Sequence, residues 1–378
     1  MLKKLLVVSV FAGVAGFVCF APAPSFSKAT GPCVNCHTMH NSQDGAAVDI
    51  NGPYGALTNA NGCVGCHTGT NGDGKNIPYI YSVAQDPTET AGGSFYWVEN
   101  GALTEEHGHN VVGISAQDGK IGLTPPGWNA GFNANGQIEG VGAVAWTAQL
   151  TCAGVNGCHG DHTATDDFTA VSGAHHADDN TIDGSTVGKS YRFLYGIIGL
   201  EDDDWELTVT SNDHNQYYGV DKASDEGALP IAGSDAAKTI NYLCAECHGD
   251  FHTGAGTKGA DDASFGAAWL RHPTDYDMYN VKAKPDYAGY NEGSTAYNPL
   301  TPVATESVTA GVVDKTVSAN IYLEAGDAIV NCVSCHRVHG SPHQDMLRWD
   351  YGECNAATAG ANQADCGCFV CHSTKDNV

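Results

Sequence analysis

The chain has 378 residues, and 43 acidic against 17 basic side chains give it a formal net charge of −26. A surface this acidic repels polyanions, which excludes nucleic acid and anionic lipid as partners. The length allows two or three ordinary domains, but 47 glycines and few sustained amphipathic periods leave little from which to build side-chain cores.

In chain order, Lys3 and Lys4 precede an apolar run from Leu5 to Phe20, and a small-residue segment containing Ser25 and Ser27 follows. This predicts a secretory leader over 1–27 and an exported domain over 28–378. No later segment is long and apolar enough to span a bilayer. The stretch GPCVNCHTMH then carries a C-x-x-C-H at Cys33, Cys36 and His37, with His40 three residues on. Cys63, Cys66 and His67 repeat the motif. Short strands are expected in GQIEGVGAVAW and WELTVT. Between them lies CAGVNGCH, an irregular version in which five residues separate Cys152 from Cys158 before His159. Regular motifs return at Cys244, Cys247 and His248, at Cys332, Cys335 and His336, and at Cys368, Cys371 and His372. Cys354 and Cys366 remain and are expected to close the loop 355–365 as a disulfide.

Two thiols at short separation match the two vinyl groups on one edge of a porphyrin, and a histidine that follows directly lies under the iron. Zinc ribbons also use paired cysteines, but not with a histidine after each pair. Six covalently bound haem c groups are therefore predicted, and they would supply the interior that the side chains lack. At Cys152 and Cys158 a small disulfide loop is the alternative. The haem reading is preferred there because His159 and the following GDH match the other sites. The acidic clusters, such as EDDDW at 201–205, are read as solvated faces, because they lack a calcium-loop pattern.

Each iron has a second axial position. An open one would suggest catalysis on a small molecule, whereas a filled one leaves electron transfer. Past the leader only Met39, Met278 and Met346 remain, too few for six irons, so histidine is the expected ligand. His40, His162, His252 and His339 follow their motifs at short, repeated distances. One helical turn along, such a histidine lies on a face its own motif histidine already occupies. It is therefore better placed to bind a different haem, which would chain the haems together. His109 and His272, in the distinctive settings HGHNVVG and WLRHPTDY, complete a set of six. His107, His175, His176, His214 and His343 are spare, with the adjacent pair His175 and His176 the chief rivals.

The second cysteines of the motifs stand at 36, 66, 158, 247, 335 and 371, so the first two sites are close in sequence, as are the last two. The periodicity is too weak for independent cores in the long intervals. The expected fold is a multihaem cytochrome c: mostly coil and turns, with short helices at the motifs and few small strands. It would form one elongated domain wrapped around a chain of six haems.

CVNCHTMHNS, YWV with GHNVV, CAECHGDFH followed by LRHP, NCVSCHRVHGSPHQDMLRW and the final CFVCH resemble a family: the hexahaem outer-surface cytochromes of metal-reducing bacteria that polymerise into conductive extracellular filaments. The spacing from Cys152 to Cys158 departs from the family's pattern. The resemblance implies bis-histidine haems in a continuous stack. It also implies a head-to-tail homopolymer in which His40 binds the iron beside Cys332 and Cys335 of the neighbouring subunit. Secretion to the cell surface is implied too, with outer-membrane cytochromes and extracellular acceptors such as metal oxides as electron partners. The chain is thus expected to be an electron carrier and not an enzyme. Two other readings stay open at this point: a monomeric periplasmic or surface shuttle, and a multihaem reductase of oxyanions.

Overall fold

A computed structural model of the chain describes residues 28–72, 77–99, 105–128, 146–177, 181–221, 235–249, 251, 272, 274–281, 287, 297–308, 324–355 and 365–373. Among them regular structure is sparse. The longest helix, Ile240–His248, has 9 residues, and several strands have 2. Turns and bends connect them, as the glycine content and weak periodicity predict.

The motifs are where order concentrates. Cys33–Asn35 and Cys332–Ser334 are single 3₁₀ turns. Gly62–His67, Ile240–His248 and Cys368–Cys371 are short α-helices. The longest begins with a cap, where the Thr239 side chain accepts from the Tyr242 N–H. At the fifth motif Asn331 and Ser334 satisfy each other's backbone N–H groups in a capping box. The Cys332 N–H donates to Asn241 Oδ1 at 2.7 Å, and Asn241 Nδ2 donates to Asp275 Oδ1 at 2.7 Å. These bonds tie the fourth motif's helix to the start of the fifth.

Five short strands form the largest sheet, in the spatial order Gly199–Leu200, Gln216–Tyr218, Ala304–Thr305, Ile329–Val330 and Tyr276–Asp277. Gln216–Tyr218 pairs parallel with Ala304–Thr305, and the other pairings are antiparallel. The strand Ile329–Val330 is fully covered and leads straight into Asn331 and Cys332. Truncating Ile329 to alanine would cost about 2–5 kcal/mol.

The apolar core is divided. One cluster around Ile197, Tyr217 and Ile329 packs against Cys158 and Cys244. Another around Met278, Tyr297 and Val330 packs against Cys371, and Trp349 with Phe369 packs against Cys335 and Cys368. Phe95, Val98 and Val111 pack against Cys152. Each of these clusters is small, and each is completed by the cysteines of a motif. The covered side chains are thus gathered where the predicted prosthetic groups attach.

Candidate haem sites

Five of the six motif histidines share one local arrangement. The Nδ1 of His37 is 3.0 Å from the Ala56 carbonyl, and that of His67 is 2.9 Å from the Pro78 carbonyl. His159 meets Arg192 O at 2.9 Å, His248 meets Pro126 O at 2.7 Å, and His336 meets Asp345 O at 2.8 Å. A carbonyl can only accept, so Nδ1 carries the proton in each, and Nε2 keeps its lone pair for a metal. Three of these carbonyls belong to left-handed residues other than glycine: Ala56 at φ 54°, Arg192 at φ 47° and Asp345 at φ 55°. Each is followed by a second one, Leu57, Phe193 and Met346. A left-handed residue with a side chain costs about 1–2 kcal/mol. Two in succession at three sites mark a turn held for the carbonyl it presents.

Five motif histidines face a second histidine. The ring centroids lie 6.1 Å apart for His37 and His176, 6.4 Å for His67 and His175, and 6.4 Å for His159 and His339. They lie 6.2 Å apart for His248 and His109, and 6.2 Å for His372 and His272. A metal–imidazole bond is about 2 Å, so two such bonds plus two ring radii place centroids roughly 6 Å apart. The spacing therefore fits one iron between each pair. His109 shows the same orientation as the motif histidines, with Nδ1 2.6 Å from Val338 O. Burial pushes His339 down to about 3, with His159 and His109 adding to the effect. Burial also takes His175 and His248 to about 4, each aided by a facing histidine. The imidazoles are thus neutral, which is the form that binds metal.

The cysteines fit an attachment role. Burial pushes the Cys158, Cys335 and Cys371 thiols up to about 12, so in the chain alone they are protonated thiols. Among the described residues no motif histidine joins its own two cysteines in a metal-sized cluster. Cysteines at the edge of a large flat group and a histidine at its centre would give that separation.

Consecutive sites adjoin through their cysteines. Cys36 is close enough to Cys66 to raise its pKa, and Cys63, Cys152 and Asp167 bring ligand atoms within 4.8 Å of one another. Cys158 lies beside Cys244 and Cys247. Cys244 is hydrogen-bonded to Cys332, and Cys335 lies beside Cys368 and Cys371. The order in space is the order in sequence. The irregular third site is accommodated by a parallel pair of strands, Thr151–Ala153 and Gly157–His159, with Thr151 opposite Gly157 and Ala153 opposite His159. A tight turn with Gly154 at φ 82° takes up the extra residues.

The sequence-predicted second histidines divide as follows. His109, His272 and His339 each face a motif histidine of another site. His40 is exposed, and His336 faces no second imidazole among the described residues. His252 lies outside the described residues. His162 is placed differently from its expectation: Nδ1 is 3.4 Å from Glu246 Oε2 and Nε2 is 3.2 Å from Cys158 O, so both ring nitrogens are engaged. His175 and His176, counted as spare, take two of the facing positions. Cys354 and Cys366 form a disulfide with Cα atoms 5.2 Å apart.

Residues 325–377 match the family model described as a doubled CXXCH motif. The chain is 26% identical over 403 residues to the C-type cytochrome OmcS of Geobacter sulfurreducens, covering 92% of this chain and 86% of that one. Two solved structures are also similar: the Outer Membrane Cytochrome S filament and the OmcS nanowires of the same organism. They are 19% and 20% identical, with TM-scores of 0.40 over 86% of this chain and 85% of each of theirs. With its repeated C-x-x-C-H motifs and its similarity along 92% of its length, the chain resembles the C-type cytochrome OmcS.

Proposed function

We propose that residues 28–378 form one electron-carrying domain that holds six haems. The chain would be exported by the leader 1–27 and assemble with its own copies into an extracellular filament. The observation that carries this reading is the combination of five histidine pairs with an unbroken succession of neighbouring cysteines. Cys33 and Cys36, Cys63 and Cys66, Cys152 and Cys158, Cys244 and Cys247, Cys332 and Cys335, and Cys368 and Cys371 would make the thioether links. The axial pairs would be His37 with His176, His67 with His175, His159 with His339, His248 with His109, and His372 with His272. When bound, each haem supplies a one-electron couple.

At five sites the two facing histidines would hold the iron between them, which would leave no place for a substrate there. The turn carbonyls orient the rings, and the neighbouring cysteines of consecutive motifs would hold successive haems next to one another. At the remaining site His336 would take its partner from a second copy. His40 is the candidate, because it is exposed and makes no ring contact among the described residues. Val34, Met39, Ile50 and Leu57 on the same lobe are exposed apolar side chains, as suits a surface covered by another subunit. A contact between different surfaces of identical chains continues into a helix if the rotation does not close. A metal–ligand bond across it would offset the repulsion between acidic subunits. OmcS of Geobacter sulfurreducens forms nanowires, and the 26% identity along 92% of this chain supports the same assembly here. Among the described residues no helix is long and apolar enough to cross a membrane. Outer-membrane cytochromes are the electron donors this reading calls for, and extracellular oxidants such as metal oxides the acceptors.

Cryo-electron microscopy of protein sheared from the cell surface tests the reading. Filaments with His40 on the iron beside Cys332 and Cys335 of the next subunit are expected. Dispersed particles with His40 bound within its own chain would leave a monomeric shuttle instead.

A further inference from the structure

We propose that Lys28 and Glu201 form a buried clamp that positions three histidines, His175, His176 and His159; this rests on their assignment above as axial ligands. Lys28 Nζ donates to Glu201 Oε1 at 2.6 Å and to Ser190 O at 3.1 Å, and both side chains of the pair are nearly inaccessible, at 6% and 5%. On the backbone, the Lys28 N–H donates to Ala177 O at 3.2 Å and the Ala29 N–H to His175 O at 2.7 Å. The segment 28–29 therefore pairs along 175–177, the stretch that presents the two adjacent imidazoles. The Lys28 ammonium also sits 5.0 Å from the centroid of the Phe193 ring, and Phe193 lies 5.0 Å from the His175 ring. The segment 28–29 thus bears on the His175 backbone through the Ala29 N–H, and on the His175 side chain through the Lys28 cation and the Phe193 ring.

Glu201 extends the clamp to a third ligand. Its Oε1 also accepts from the Arg192 N–H at 2.6 Å. Arg192 is the left-handed residue whose carbonyl holds His159 Nδ1 at 2.9 Å. The carboxylate fixes the turn from below while the turn's carbonyl orients the imidazole above. A single acid therefore ties together residues that serve the first three sites. A buried ion pair is weak evidence for stability, since apolar groups of like shape often replace one without loss. This chain has 17 basic residues against 43 acidic ones, and it places one lysine in its interior next to the His175 backbone. That placement is explained by positioning.

The test uses the full holoprotein and reads ligation, not current. Lys28→Met with Glu201→Gln removes both charges of the close pair together, and the Arg192 guanidinium, 3.9 Å from Glu201 in the native chain, keeps Asp202 O and Asn215 Oδ1 as partners. His175→Ala and His176→Ala, made separately, mark the bands of the two sites by turning each from low-spin to high-spin. In the double variant those same bands should shift or gain high-spin character, with haem content by mass unchanged. The conservative variant Lys28→Arg, which keeps a cation able to donate to Glu201 Oε1 and Ser190 O, should retain the wild-type spectrum. If the two histidine variants alter their bands and the double variant matches wild type, the clamp is overturned while the ligand assignment stands. If the histidine variants leave every haem low-spin, the ligand assignment fails, and the clamp with it.

Discussion

The imidazole of His339 faces that of His159 with ring centroids 6.4 Å apart, although His339 follows the motif histidine His336 by only three residues. A short spacing in sequence thus connects two different sites. The His336 ring is held by Asp345 O, and three residues later the chain delivers His339 to the third site.

His40 has the same spacing after His37, but it is exposed. Substituting His40 by alanine should leave every thioether intact by mass. It should abolish filaments, seen as dispersed particles in electron micrographs and a slow sedimenting species. One haem per chain should become high-spin. Normal filaments from this variant would remove His40 from the interface.

His162 is buried with both ring nitrogens engaged by Glu246 and Cys158 O. His162→Gln should therefore keep all haems low-spin in paramagnetic resonance spectra. It should lower unfolding stability by about 1–3 kcal/mol, the cost of leaving buried partners unsatisfied. A new high-spin signal would restore His162 to the ligand set.

Burial pushes the Glu201 carboxyl up, but Arg192 and then Lys28 outweigh it, and its pKa is lowered from the ordinary carboxylate value. The unfolded chain therefore takes up the proton first as pH falls. The stabilisation is fully present above the ordinary carboxylate pKa of about 4.3, and it is lost as pH drops through the lowered folded value. Unfolding midpoints measured across that acidic window should fall for the wild type and fall less for Glu201→Gln. Parallel curves would show that the carboxylate does not contribute.

The Cys354–Cys366 disulfide closes the loop 355–365. Replacing both cysteines by serine should cost roughly 2–3 kcal/mol for a loop of this size. The loss should appear as faster amide exchange around Trp349 and Phe369, which pack with both half-cystines and with Cys368. The sixth haem should stay attached, because its thiols are Cys368 and Cys371.

The attachment chemistry was legible in the sequence because it is local: two thiols and an imidazole within a few residues define each motif. The sparse regular structure was legible too, from glycine content and missing periodicity. Which histidines face the motif histidines was only partly legible. His109, His272 and His339 could be named from their settings, whereas His175 and His176 stand at no fixed distance from any motif and are brought opposite His67 and His37 by the fold. The HGDH stretch ending at His162 copies the spacing of His40 and His339, but Glu246 in the next motif captures that ring. The turns at Ala56, Arg192 and Asp345 carried no compositional mark, because none uses the glycine that a left-handed turn usually signals.

The end-to-end adjacency of Cys63 with Cys152, of Cys244 with Cys332 and of Cys335 with Cys368 has an electrical meaning. In the proposed filament, haems held at these sites would pass electrons in series, each to the next site in the chain. Disabling an interior site, such as that of Cys152 and Cys158, would then interrupt conduction along the proposed filament. The slowest junction would set the current for every subunit downstream of it.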